Sequence, residues 1–146
     1  MGSSSLGKFL ALPSTDRALL LQSIVLLGFA RVALWILPFN TARRLLTRGA
    51  HGRAGSVTTA ERIGWAISVG KRFVPGANCL PQALAAESLL MQAGHPVDFR
   101  LGVAKTSNGQ IEAHAWIESS GRLVVGDLTQ GLSTYTPLPP VPRLRF

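Results

Sequence analysis

The hydrophobic pattern along these 146 residues changes period once, and the change divides the chain into two parts. From Ala18 to Leu37 nearly every position is apolar, interrupted by Gln22, Ser23 and Arg31, and Pro38 ends the run. Ser14-Thr15-Asp16 ahead of it is a capping cluster with an acid in the first turn, so a helix is expected over this stretch. Asn40 to Arg48 reads as a second, short helix, and the Gly-rich, basic stretch from Gly49 to Gly55 as a loop. Thr58 with Glu61 three residues on is a capping-box pattern. Ile63, Ala66, Ile67 and Gly70 recur at helical spacing behind it. Lys71 and Arg72 are expected in the last turn, where the helix dipole favours cations. A fourth helix is expected from Cys79 to Gln92, with Gly94 as its stop signal.

Beyond Gly94 the period becomes two. Val97 to Ala104, Ala113 to Glu118 and Arg122 to Gly126 read as strands, with Ser107-Asn108-Gly109 and Ser119-Ser120-Gly121 as the turns between them. After Gly131 the prolines at 137, 139, 140 and 142 mark an extended tail. Helices first and an antiparallel meander second predict an α+β fold, one helix lying against a small sheet. The length fits one compact domain, organised as a helical region over 1–72, a core over 73–130 and a Pro-rich tail over 131–146.

The first apolar run nearly reaches bilayer length. Arg31 argues against a spanning helix, since a central arginine costs roughly 2.5–3.5 kcal/mol on insertion scales. A charged, capped segment precedes the run and no small-residue cleavage site ends it, which argues against a signal peptide. The expected role is a helix packed in the core or on a partner protein. Peripheral contact with a membrane surface is the competing role, because Arg43, Arg44, Arg48 and Arg53 follow directly.

Charge sharpens this division. The formal net charge is +8, yet residues 1–72 hold ten Lys/Arg against two acids, Asp16 and Glu61, and residues 73–146 hold five of each. The whole excess lies in the first half, which reads as a dock for an acidic partner or surface. Without interleaved aromatics or a nucleic-acid motif, nucleic acid is not expected, and a non-enzymatic basic adaptor ranks below an enzyme.

The neutral half holds the candidate chemistry. Cys79 is the only cysteine, which excludes an internal disulfide and suits a reducing cytoplasm, the expected location. One Cys and three scattered His lack metal-ligand spacing, so neither metal nor cofactor is expected. Cys79 opens a helix, and Pro81 supports that placement because proline is tolerated in a first turn. There the unpaired N–H groups and the helix dipole favour a thiolate. An imidazole within reach would take the proton. His51 lies in the basic loop and His95 at the turn after the helix, so His114, mid-strand between Ala113 and Ala115, is the candidate. A base needs its second nitrogen held. Asp127 ends the strand next to that of His114 and is favoured over Asp98, Glu112 and Glu118. The Cys79 amide is the natural first oxyanion donor. Gln82 or Asn78 is the candidate second, and either serves equally well as a helix cap. Trp116 points the same way as His114, with core packing as its favoured role.

Cys79-Leu80-Pro81-Gln82-Ala83-Leu84, Gly94-His95-Pro96-Val97, Leu101-Gly102-Val103, Ala113-His114-Ala115-Trp116-Ile117-Glu118 and Gly126-Asp127 together resemble the transglutaminase-like leader peptidases of lasso peptide biosynthesis. The nearer match is the stand-alone peptidase half of the split maturation protein. Leu12-Pro13, Asp16-Arg17 and Leu37-Pro38-Phe39 extend the resemblance over roughly residues 8–130. The resemblance implies a transglutaminase-like, papain-like fold with Cys79 as nucleophile, His114 as base and then acid, and Asp127 as orienting carboxylate. It implies hydrolysis of the bond between leader and core of a ribosomally made precursor. The implied partners are the precursor leader, a small leader-binding protein docked on the basic half, and an ATP-dependent cyclase that takes the freed core. An acyl transferase on the same triad is the second enzymatic expectation.

Overall fold

The computed structural model describes residues 7–8, 10–48, 58–105, 108–126 and 136–137. It contains helices α1 (Ser14–Ile36), α2 (Phe39–Thr47), α3 (Ala60–Gly70) and α4 (Cys79–Gln92). Strands β1 (Asp98–Lys105), β2 (Ile111–Ser119), β3 (Arg122–Val125) and β4 (Thr136–Pro137) follow. All pairings are antiparallel, in the order β3-β2-β1-β4, so the expected α+β class holds. Two residues of the stretch expected to be only a tail, Thr136 and Pro137, pair with Val103 and Gly102 as β4.

α4 is the axis of the fold. Its residues Pro81 and Ala83 to Leu90 are all buried, which encloses the helix on every side. Ala83, Ala85, Ala86 and Ser88 keep its surface low enough for α1, α2 and α3 to pack close on one side and the sheet on the other. The core joins Leu27 and Ala30 of α1, Ile63 and Ile67 of α3, and Leu84 and Leu90 of α4 to Phe99, Ala115, Ile117 and Val125 of the sheet. Gly94, at φ 79°, ends α4. The His95 amide bonds to the Leu90 carbonyl at 2.9 Å and the Gly94 amide to Met91 at 3.1 Å, a Schellman closure. At the hairpin, Ser120 and Gly121 both take positive φ, the geometry of a type I′ turn between β2 and β3.

α2 docks through a buried ion pair. Arg43 Nε donates to both oxygens of Glu87, at 3.1 and 2.9 Å, and a terminal nitrogen approaches Oε1 at 2.6 Å. The guanidinium lies 5.0 Å over the Phe99 ring, and Phe39 meets the same ring edge-on at 5.8 Å. Ser88 Oγ donates to the Leu46 carbonyl, satisfying one acceptor at the end of α2. Arg43 therefore does not belong to the exposed basic surface expected of residues 43–53.

The helix starts differ from expectation by one residue. Pro13, not the Ser14 cluster, occupies the cap position of α1. Asp16 lies in the first turn as expected and also pairs with Arg62; its carboxylate accepts a hydrogen bond from that guanidinium and raises the Arg62 pKa. Thr59, not Thr58, caps α3 by accepting from the Arg62 amide at 3.2 Å, which moves Glu61 out of capping-box position. The cause lies in tertiary packing: the Thr58 carbonyl accepts a hydrogen bond from His95 Nε2 at 2.6 Å, which holds that residue outside the helix. Lys71 and Arg72 fall in a 3₁₀ turn, Lys71–Phe73, beyond the last turn of α3. The loop expected over Gly49–Gly55 lies outside the described residues. α3 also covers the sheet edge at β3. A Cβ at Gly64 would stand 2.6 Å from the Val124 carbonyl oxygen, so only glycine admits this approach.

Removing one partner of the buried pair, by Arg43→Met or Glu87→Gln, is expected to cost about 3–5 kcal/mol of unfolding free energy. The double replacement Arg43→Met with Glu87→Leu is expected to recover most of that loss, because no buried charge is then left alone. Urea unfolding of the three variants measures both.

Candidate active site

Cys79 is the first residue of α4 and is half-buried, packed against the edge of the core. Val74-Pro75-Gly76-Ala77 delivers it. Gly76 takes φ 77°, and the Ala77 and Asn78 amides bond back to Val74 and Gly76. The Arg31 guanidinium lies directly against Gly76, where a Cβ would collide with its nitrogens. Asn78 occupies the cap position but makes no side-chain capping bond. Pro81 has no N–H, so the first-turn donors at this helix end are the amides of Cys79 and Leu80, and the Asn78 side chain caps neither. Gln82 Nε2 donates to the Ala77 carbonyl at 2.7 Å, bracing the loop that presents the cysteine.

Two short connections decide where His114 lies relative to that helix end. Only five residues separate α4 from β1, so β1 runs back along the helix. Ser119 Oγ at the end of β2 donates to the Pro96 carbonyl at 2.7 Å, tying that end of β2 to the C-terminal end of α4. His114 stands five residues back, about 17 Å along the strand. Cys79 stands thirteen residues back, about 20 Å along the helix. Both residues therefore lie at similar distances from the anchored end, but Cys79 packs on the α4 side of the sheet and His114 belongs to the opposite face of β2.

His114 faces Gly102 across the β1–β2 ladder. Its ring stacks on Trp116, centroids 6.3 Å apart and planes 21° from parallel, and its Nε2 atom is buried. Alternation puts His114, Trp116 and Glu118 on one face of β2, and Ala115 and Ile117, which join the core with α4, on the other. The indole Nε1 donates to Glu118 Oε1 at 3.2 Å, and Arg100 lies 3.7 Å from the other oxygen. Glu118 is thus engaged by Trp116 and Arg100. Trp116 is buried, as expected, and its ring also stacks on the histidine. Asp127 lies outside the described residues. Its predecessor Gly126, at φ 134°, sits so close to Trp116 that a Cβ would come within 2.5 Å of the indole-bearing carbon.

The rival histidines divide similarly. His95 serves the start of α3 through Thr58 and stands at the other end of α4 from Cys79. His51 lies outside the described residues. Among the described residues no group of three His, Cys, Asp or Glu side chains gathers as metal ligands. An open groove between α3 and the β2–β3 turn, lined by Gly64, Trp65, His95, Ser120 and Arg122, lies at the His95 end and away from the cysteine. Sequence reading missed Arg31 as a neighbour of the loop that presents Cys79. Its isolation as the one charge between Ala18 and Leu37 was the available signal.

A cysteine at the start of a buried helix, followed by an antiparallel sheet bearing a histidine, defines a class of cysteine-dependent fold. The model of the transglutaminase-like superfamily matches residues 23–139, most of the chain, and the protein belongs to that superfamily. Its members are typically cysteine-dependent enzymes, commonly proteases or acyltransferases. No curated protein and no solved structure matches the chain at a significant level.

Gly126→Ala is expected to cost about 1–3 kcal/mol, through strain at positive φ and the collision with Trp116. It should also change the near-UV circular dichroism of the tryptophans before any unfolding begins. Thermal unfolding and the near-UV spectrum at low temperature check the two effects.

Proposed function

We propose that this protein is a cysteine peptidase that cuts the leader from the core of a ribosomally synthesised lasso precursor, acting in the cytoplasm. The observation that carries the reading is the start of α4: Cys79 at the first helical position, with neighbouring amides left uncapped by Asn78. The superfamily supports cysteine-dependent acyl chemistry. The resemblance of the Cys79–Leu84 and Ala113–Glu118 segments to lasso leader peptidases supplies the substrate class.

In this mechanism the His114 ring turns past the edge of β2 toward the start of α4 and takes the Cys79 proton, and the sulfur attacks the scissile carbonyl carbon. The Cys79 amide donates to the developing oxyanion, with Gln82 or Asn78 as the second donor. The side-chain N–H of Gln82 not used on Ala77 is oriented by the one that is. His114 then protonates the departing amine, which leaves as the N-terminus of the core, and the leader remains as a thioester on Cys79. Water, deprotonated by His114, cleaves that thioester and restores the thiol. Asp127 orients the imidazole and stabilises its charged form. The basic first half docks the leader or a small leader-binding partner, and an ATP-dependent cyclase takes the freed core.

Superfamily membership equally supports acyl transfer to an amine, and the product decides between the two. Hydrolysis yields a leader with a free carboxylate, whereas transfer yields a leader amide, and mass spectrometry separates them. Cys79→Ala is expected to abolish release of the leader from a lasso precursor supplied with its leader-binding partner, with the unfolding midpoint unchanged. Leader release by this variant would sink the proposal. Iodoacetamide alkylation of Cys79 is expected to slow by on the order of tenfold or more in His114→Ala, and by less in Asp127→Asn. Equal alkylation rates in all three proteins would dissociate His114 from the thiol.

A further inference from the structure

α1 is apolar on two sides, and the fold uses one of them. Leu20, Leu27, Ala30 and Ala33 are buried where α1 packs on α3 and α4. On the opposite side Leu21, Val25, Phe29, Val32, Trp35 and Ile36 are exposed, Val25 by 68% and Trp35 by 83%. Their three- and four-residue spacing aligns them on one side of the helix. They form a straight apolar ridge about 22 Å long. Gly28 continues the ridge, since a Cβ there would meet nothing within 4 Å. Soluble monomers rarely leave contiguous apolar surface of this extent uncovered.

Surrounding charge selects the occupant. Between Ala18 and Ile36 the only charged residue is Arg31, at the edge of the ridge, and α2, which follows within three residues, exposes Arg44, with Arg48 exposed just after its end. The two acids of the first 72 residues are engaged elsewhere, Asp16 with Arg62 and Glu61 with Arg122. An apolar helix face bordered by cations alone, with a tryptophan at its end, has the composition that seats a helix at the boundary of headgroups and acyl chains. A protein partner would be expected to meet a rim of both signs and a concave seat, whereas this ridge is convex and its rim basic.

α1 is also long and apolar enough to span a bilayer by length and composition. Spanning would strip Leu20, Leu27, Ala30 and Ala33 from the core and expose their partners on α3 and α4. Lying flat uses the outer face and leaves the fold intact.

We infer that the outer face of α1 is a reversible docking surface for an anionic membrane, with Leu21, Val25, Phe29, Val32, Trp35 and Ile36 entering the interface and Arg44 and Arg48 meeting lipid phosphates. This inference is independent of the peptidase reading. Co-sedimentation of the whole protein with phosphatidylcholine vesicles and with equal-part phosphatidylcholine–phosphatidylglycerol vesicles tests it. Binding to the mixed vesicles is expected to exceed binding to phosphatidylcholine by on the order of tenfold or more, and to weaken as salt is raised. A blue shift of tryptophan emission should accompany binding and be lost in Trp35→Phe. The double variant Val25→Glu/Val32→Glu, at exposed positions, should keep the unfolding midpoint and lose vesicle binding. Three outcomes overturn the inference: no binding to mixed vesicles, binding retained by the double variant, or lipid-free self-association that the double variant abolishes. The last would make the ridge an interface between copies of this chain.

Discussion

A single arginine from a nine-residue helix holds a carboxylate in the middle of the protein, and the setting of Cys79 follows from that contact. Glu87 sits on α4 with hydrocarbon on nearly every side, where an unpaired charge would cost several kcal/mol. Arg43 satisfies it bidentately and rests its own guanidinium on Phe99. Since the fork of an arginine matches a carboxylate in only a few orientations, α4 is fixed in rotation about its axis at Glu87. A helix is stiff over two turns, so Cys79, about 12 Å away along the axis, inherits the same rotational setting. The small residues that let neighbours enclose α4 have no such directional preference, and Leu–Ala packing alone would tolerate a slip.

The two ends of α4 are finished in opposite ways. The C-terminal end is closed by Gly94 and His95, tied to β2 through Ser119 and to α3 through His95 and Thr58. The N-terminal end carries the cysteine, a proline with no amide to cap and an asparagine that makes no cap bond. The structure thus places its hydrogen-bond closures where the chain needs anchoring and leaves donors at the end suited to negative charge. Gln82 braces the loop below that end, so stiffness there comes from a side chain bonded to the Ala77 carbonyl, not from capping.

The two halves of the chain do different physical work. Residues beyond Gly94 build a sheet whose one face seats α4 and whose other face stacks His114, Trp116 and Glu118. The helices before Lys71 wrap α4 from the other side, residues 1–72 carry the unbalanced charge, and α1 carries the uncovered apolar ridge. Arg31 joins the two regions, since it interrupts the apolar helix and lies on Gly76 in the loop that presents Cys79.

Local chemistry made much of this readable in advance. The bounds of α4, the glycine that ends it, the turn between β2 and β3 and the alternation along β2 all depend on neighbours close in sequence. Proline, glycine and alternation report such neighbours directly. The Trp116 stack on His114 followed from the two-residue period of a strand. The errors share one cause. Thr59 caps α3 in place of Thr58 because His95, 37 residues away, takes the Thr58 carbonyl. Arg43 looked like one more surface cation, and only the arrival of Glu87 from 44 residues away turned it inward. The prolines near the end of the chain indicated extended backbone, but not that Thr136 and Pro137 would find the edge of β1. By itself the sequence determined the helices, the strands and the residues fit for cysteine chemistry, because propensity and periodicity act within a few residues. Only the tertiary structure decided which cation is buried, which threonine caps, and which face of α1 is left uncovered, because those outcomes depend on groups brought together from tens of residues apart.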